Sequence, residues 1–175
     1  AKWNGSSWST VGNINALTNG IVYAFAVHDN VLYVGGSFTD AAGIPEADKL
    51  VKWDGSAWSA LGGSGGTGAF NNTIGALETN GIDVYAGGIF LNAAGIPEAD
   101  RVAMWNGTSW SALGGTSALS AGVLDLELFG NDLYIAGQFL DAGSNPEADY
   151  ITRWDGSTWN ALGNAGPAIG SLSGI

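Results

Sequence analysis

Hydrophobic positions along this chain alternate or run together in short stretches, as at residues 21–27 and 31–38, with the polar His28-Asp29-Asn30 between them. Short apolar runs of this length and β-rich composition predict β-strands, and the Asn, Asp and Gly clusters between them predict turns. Corresponding turns stand at Asn80-Gly81-Ile82 and Gly130-Asn131-Asp132. Trp-(Asp/Asn)-Gly-(Ser/Thr)-x-Trp follows each such pair, at Trp53, Trp105 and Trp154, and stands a fourth time at Trp3. Asp-Gly or Asn-Gly between two β-rich runs predicts a two-residue I′ hairpin. It would place Trp53 opposite Ser56, with both indoles in diagonal contact on one sheet face. No helix of useful length is indicated.

The pattern repeats. The first Trp residues of the four hairpins are 50, 52 and 49 residues apart (3, 53, 105, 154). Leu32-Tyr33-Val34-Gly35-Gly36-Ser37-Phe38 returns as Val84-Tyr85-Ala86-Gly87-Gly88-Ile89-Phe90, and as Leu133-Tyr134-Ile135-Ala136-Gly137-Gln138-Phe139 with one Gly replaced. Ile44-Pro45-Glu46-Ala47-Asp48 returns at 96–100, and as Asn145-Pro146-Glu147-Ala148-Asp149. Four short strands per unit make residues 13–62, 63–114 and 115–163 three full units. Residues 1–12 form an outer hairpin and 164–175 an inner strand, each a partial unit.

Four strands per unit, with Gly and aromatic markers in register, predict an all-β fold of β-propeller blades, four-stranded antiparallel units. The Tyr-x-Gly-Gly-x-Phe strand followed by Trp-Asp-Gly-Ser-x-Trp-x-x-Leu-Gly resembles the kelch-like, galactose-oxidase-type propeller repeats of bacterial secreted and surface proteins. That resemblance covers nearly the whole chain and implies an extracellular or cell-surface module. It leaves function open, because such propellers serve as enzymes, lectins, adhesins and scaffolds.

Charge narrows the partners. Five Lys and Arg against sixteen Asp and Glu leave a net charge of −11, which opposes nucleic-acid binding and anionic membrane surfaces. No apolar stretch approaches the roughly 18 residues of a membrane-spanning helix, so no membrane insertion is expected. With no Cys, disulfides, thiolate metal sites and the copper ligand set of galactose oxidase are excluded. His28 is the one histidine and falls at a turn. No nucleophile, base or phosphate-loop pattern accompanies it, so the chain is expected not to be an enzyme.

Three features invite a site. The acidic loops present Asp40, Glu46 and Asp48, then Glu98 and Asp100 beside Asn92, then Asp141, Glu147 and Asp149. Clustered oxygen ligands suit calcium, but the spacing matches no standard calcium loop. The preferred reading is a tight helical turn with Asp bonded to nearby backbone N–H groups. No cofactor is expected, with calcium as the alternative. Trp3, Trp53, Trp105 and Trp154 are expected to pack between blades. Trp8, Trp58, Trp110 and Trp159, on the outer strand, are expected to be partly exposed and to serve as carbohydrate or interface residues. Glu78, Asp125 and Glu127 fall on inner strands and are expected to line a channel. Asn4, Asn71 and Asn106 satisfy the N-glycosylation pattern, which turn geometry already explains at Asn4 and Asn106.

The incomplete units at both ends are complementary for strand addition. The expected function is therefore a non-enzymatic structural, self-assembling propeller module. Its partners would be other copies of itself or neighbouring repeats of a longer chain. The alternative is a carbohydrate-binding propeller, with glycans as ligands.

Overall fold

The computed structural model describes residues 1–12, 16–17, 19–115 and 118–162. The inner strand expected within residues 164–175 lies outside them. A two-stranded hairpin comes first, β1 (Lys2–Trp3) with β2 (Trp8–Ser9). Three sheets follow, each an antiparallel meander of four strands. The first joins β3 (Val22–His28), β4 (Val31–Gly36), β5 (Leu50–Trp53) and β6 (Trp58–Ala60). The second joins β7 (Ile74–Thr79), β8 (Val84–Gly88), β9 (Val102–Trp105) and β10 (Trp110–Ala112). The third joins β11 (Val123–Phe129), β12 (Asp132–Gly137), β13 (Ile151–Trp154) and β14 (Trp159–Ala161). First strands lie side by side, β3 on β7 and β7 on β11, so the sheets radiate as propeller blades.

The β3–β4 hairpin closes on His28 and Val31 through Asp29 (φ 45°) and Asn30 (φ 66°), both in the left-handed region that an I′ turn requires. The Trp hairpins differ from expectation by one position. Trp53 pairs with Trp58, not with Ser56. Asp54 Oδ1 accepts the N–H groups of Ser56 and Ala57, both at 2.8 Å, and Asp54 N–H donates to Ala57 O at 3.3 Å. The carboxylate takes the N–H that a turn centred on Asp-Gly would leave to the backbone, so the turn centres on Gly55-Ser56. Positive φ falls on Gly55 (96°) and not on Ser56, the II′ pattern. Asn4, Asn106 and Asp155 form the same cradle. The indoles therefore face each other directly, centroids 5.1 to 5.5 Å apart in all four hairpins.

The two glycines of Gly35-Gly36 have separate causes. A Cβ on Gly35 would lie 2.7 Å from Ile74 Cγ2 of the next blade, and one on Gly87 would lie 2.5 Å from Val123 Cγ1. This glycine lets blades approach. A Cβ on Gly36, Gly88 or Gly137 would instead strike the carbonyl of Ile21, Thr73 or Gly122 within its own blade. Each of these glycines pairs with the first residue of β3, β7 or β11, beside a bulge in that strand. The residue that departs from the pair, Ala136, occupies the inter-blade position of the third blade, beyond which no further blade is described. Fully buried Phe38, Phe90 and Phe139 end the same motif in each unit. Apolar cores form between blades one and two and between blades two and three.

Candidate functional site

A joint built from the same residue types recurs between successive blades. After the outer strands β2, β6 and β10 come Val11-Gly12, Leu61-Gly62 and Leu113-Gly114, and these glycines take φ of 67°, 76° and 70°. Against each lies the tryptophan pair of the following blade. A Cβ on Gly12 would strike Trp58 and Trp53, on Gly62 Trp110 and Trp105, and on Gly114 Trp159 and Trp154. Trp110 is 5% exposed, and its Nε1 donates to Leu61 O at 2.8 Å. Phe70 packs edge-on to it at 4.7 Å. The Nε1 atoms of Trp58 and Trp159 are also buried, with no hydrogen-bond partner among the described residues.

This placement corrects two expectations. Trp110, expected to be partly exposed, is buried outright in its joint. Trp58 and Trp159 are half-buried. Trp3, expected in a joint, is exposed, and Trp8 is 70% exposed. A strand pattern tells which residues share a face, but the face that meets the next blade is set by how the sheets pack.

Before the first blade lies an apolar groove of about 780 Å³ between the β1–β2 hairpin and the inner strands β3 and β4. Trp8, Val11, Phe25, Val27, Leu32 and Trp58 line it. Phe25 is 63% exposed, whereas its counterparts Leu77 and Leu126 are 7% and 4% exposed against the preceding blade. Asp125 and Glu127 are exposed at the positions of Ala24 and Ala26, and those alanines belong to the core shared with the second blade. The carboxylates thus lie on the blade-facing side of β11 and not along a channel. Glu78, in the corresponding position, is half-buried on β7 and accepts the Thr79 N–H at 2.6 Å.

The acidic loops put their aspartates on backbone. Asp48 Oδ1 accepts the Asp40 N–H at 2.9 Å, Asp100 Oδ1 the Asn92 N–H at 2.8 Å, and Asp149 Oδ1 the Asp141 N–H at 2.9 Å. Glu46 Oε1 accepts from Gly66 N–H at 2.9 Å. Glu98 and Glu147 complete the acidic set; Glu147 N–H donates to Asn145 Oδ1 at 3.1 Å. No three His, Cys, Asp or Glu side chains gather as a metal site among the described residues. The helical turn lies earlier than expected, at Ala41–Gly43, Ala93–Gly95 and Ala142–Ser144. Pro45-Glu46 instead occupies a turn closed by Ala47 N–H to Ile44 O at 2.9 Å. Left-handed backbone geometry at the entrance of each loop falls on Asp40, Asn92 and Asp141. His28 lies beside Asp29, Nε2 to Oδ2 3.2 Å, and against Gly81 of the next blade's first turn.

No family model matches the chain, and no curated protein does. Solved structures do. Over 84% of its length the chain is similar to YCF48, solved bound to a D1 peptide, at 14% identity and a TM-score of 0.51, spanning 41% of that chain. It is also similar to YjhT over 89% of its length, at 14% identity and a TM-score of 0.47, spanning 54% of that chain. Both are β-propeller proteins. The fold and its joints define this chain as an array of β-propeller blades. It spans about half or less of the propellers it resembles.

Proposed function

We propose that this chain is a non-enzymatic, extracellular or cell-surface structural module that assembles with further blades supplied by copies of itself. The observation that carries the reading is the open first blade. Phe25 is 63% exposed where the second and third blades bury Leu77 and Leu126 against a neighbour, and Val27 beside it on the same strand is exposed as well. Repeat units need such neighbours to cover their faces, and contiguous apolar patches of this kind mark interaction surfaces. The kelch-like motif supports the extracellular placement, and the single His with no Cys supports a non-catalytic role. Negative-stain microscopy and sedimentation velocity test the proposal. Rings or filaments are the expected result; a monodisperse monomer at high concentration overturns it.

A second reading, carbohydrate binding, is favoured by Trp3 and Trp8, an exposed indole pair 5.4 Å apart, of which Trp8 lines the groove. Exposed aromatic faces stack on pyranose rings. A glycan array signal abolished by Trp8→Ala would favour this reading over the scaffold.

A further inference from the structure

We infer that Trp8 of one copy seats on the Leu162 end of a second copy, making between molecules the joint that the chain makes three times within itself. This rests on the self-assembly proposed above and names the contact. The internal joints are Val11-Gly12 with Trp58, Leu61-Gly62 with Trp110, and Leu113-Gly114 with Trp159. In the two that involve leucine, Leu61 and Leu113 are 3% and 4% exposed. Leu162 follows the outer strand of the third blade in the same motif, yet it is 37% exposed. Trp8 begins the outer strand of the first hairpin, in the position of Trp58, Trp110 and Trp159, and it is the most exposed of the four. Among the described residues, one half of a joint is thus open on each side of the array.

The two halves differ, so the contact is heterologous and head-to-tail, and it propagates from copy to copy. The donor side is already ordered. Trp8 is held against Trp3 at 5.4 Å, as Trp58 is held against Trp53 at 5.2 Å, so little side-chain freedom is lost on docking. The joint has room for an exposed carboxylate nearby. Glu127, on the open side of the third blade, corresponds to Glu78, which the second blade accommodates half-buried beside the third.

The test is a mixing experiment on the 175-residue chain followed by sedimentation velocity. Trp8→Ala and Leu162→Asp are each expected to raise the dissociation constant about thirtyfold or more, as loss of an aromatic anchor does, and to leave monomers. Mixed one to one, the two variants are expected to form heterodimers that grow no further, because each retains one intact half. Melting curves matching wild type show that the fold is intact. A variant that melts early is replaced by Trp8→Phe or Leu162→Ala, with an expected rise of about tenfold. Variants that assemble like wild type, or a mixture without heterodimers, overturn this joint while leaving self-assembly standing. A monomeric wild-type chain overturns both.

Discussion

At the scale of single residues, the Asx cradle decides the shape of each Trp hairpin. Asp54 receives hydrogen bonds from the backbone of Ala57 and Ser56 and from the Ser56 hydroxyl, which hold its carboxyl at about 2. Asp155 is lowered further, first by the Thr158 backbone and then by the Ser157 and Thr158 hydroxyls. A folded value below that of a free carboxyl means that the stabilisation is present above about pH 4 and is lost as the pH falls towards 2. Asn106 makes the same cradle with no charge to lose. An Asp54→Asn, Asp155→Asn double variant should therefore keep its hairpins at pH 7, and its melting temperature should fall less steeply between about pH 4 and pH 2. Parallel acid profiles for variant and wild type would contradict the cradle as the cause. A second residue-scale prediction concerns Ala42, which takes φ 56°. The third unit has Gly143 in that place, at φ 61°. Left-handed geometry disfavours a Cβ, so Ala42→Gly should stabilise the chain by about 0.5–1 kcal/mol, read as a higher melting temperature.

At the scale of the element, a blade is defined as much by its neighbour as by its own strands. Gly35 sits under Ile74 and Leu77, so Gly35→Ala overpacks the interface and should destabilise by about 1–3 kcal/mol. Ala136→Gly, at the matching position with no described blade beyond it, should change the melting temperature far less. The tryptophan joints separate in the same way. Trp110→Phe removes a buried donor that satisfies Leu61 O, whereas Trp58→Phe removes a buried donor with no described partner. Urea denaturation should show Trp110→Phe costing about 1–2 kcal/mol more than Trp58→Phe. Equal costs would mean that the indole N–H contributes nothing to the joint.

At the scale of the molecule, three blades and a half-open hairpin leave apolar surface on one side and a carboxylate-bearing face on the other. A net charge of −11 makes copies repel at long range, while the joint itself is apolar. Screening removes the repulsion without weakening apolar burial. Assembly should therefore strengthen as salt is raised from about 10 mM to about 300 mM, where the Debye length falls below roughly 10 Å. Light scattering that falls over this range would show that charge pairs, not the Trp8 and Leu162 halves, hold copies together.

Strands, repeat period and propeller class were legible in the sequence because alternation, turn residues and recurrence are local properties. The turn at His28-Asp29-Asn30 and the sharing of one face by each tryptophan pair belong to the same level, whereas the I′ type falls at Asp29-Asn30 and not at the Trp hairpins where it was expected. The register of the Trp hairpins was not legible, because an Asx acceptor competes with the backbone for the same N–H groups and shifts the turn by one residue. Nor was the role of Leu-Gly, since Gly62 is explained only when Trp110 of another blade is found against it. Sequence by itself determined that this protein is a repeated all-β blade with indole pairs and glycine strands. Only the tertiary structure decided which indole enters the joint and which halves stay open, because those depend on the angle at which one twisted sheet meets the next.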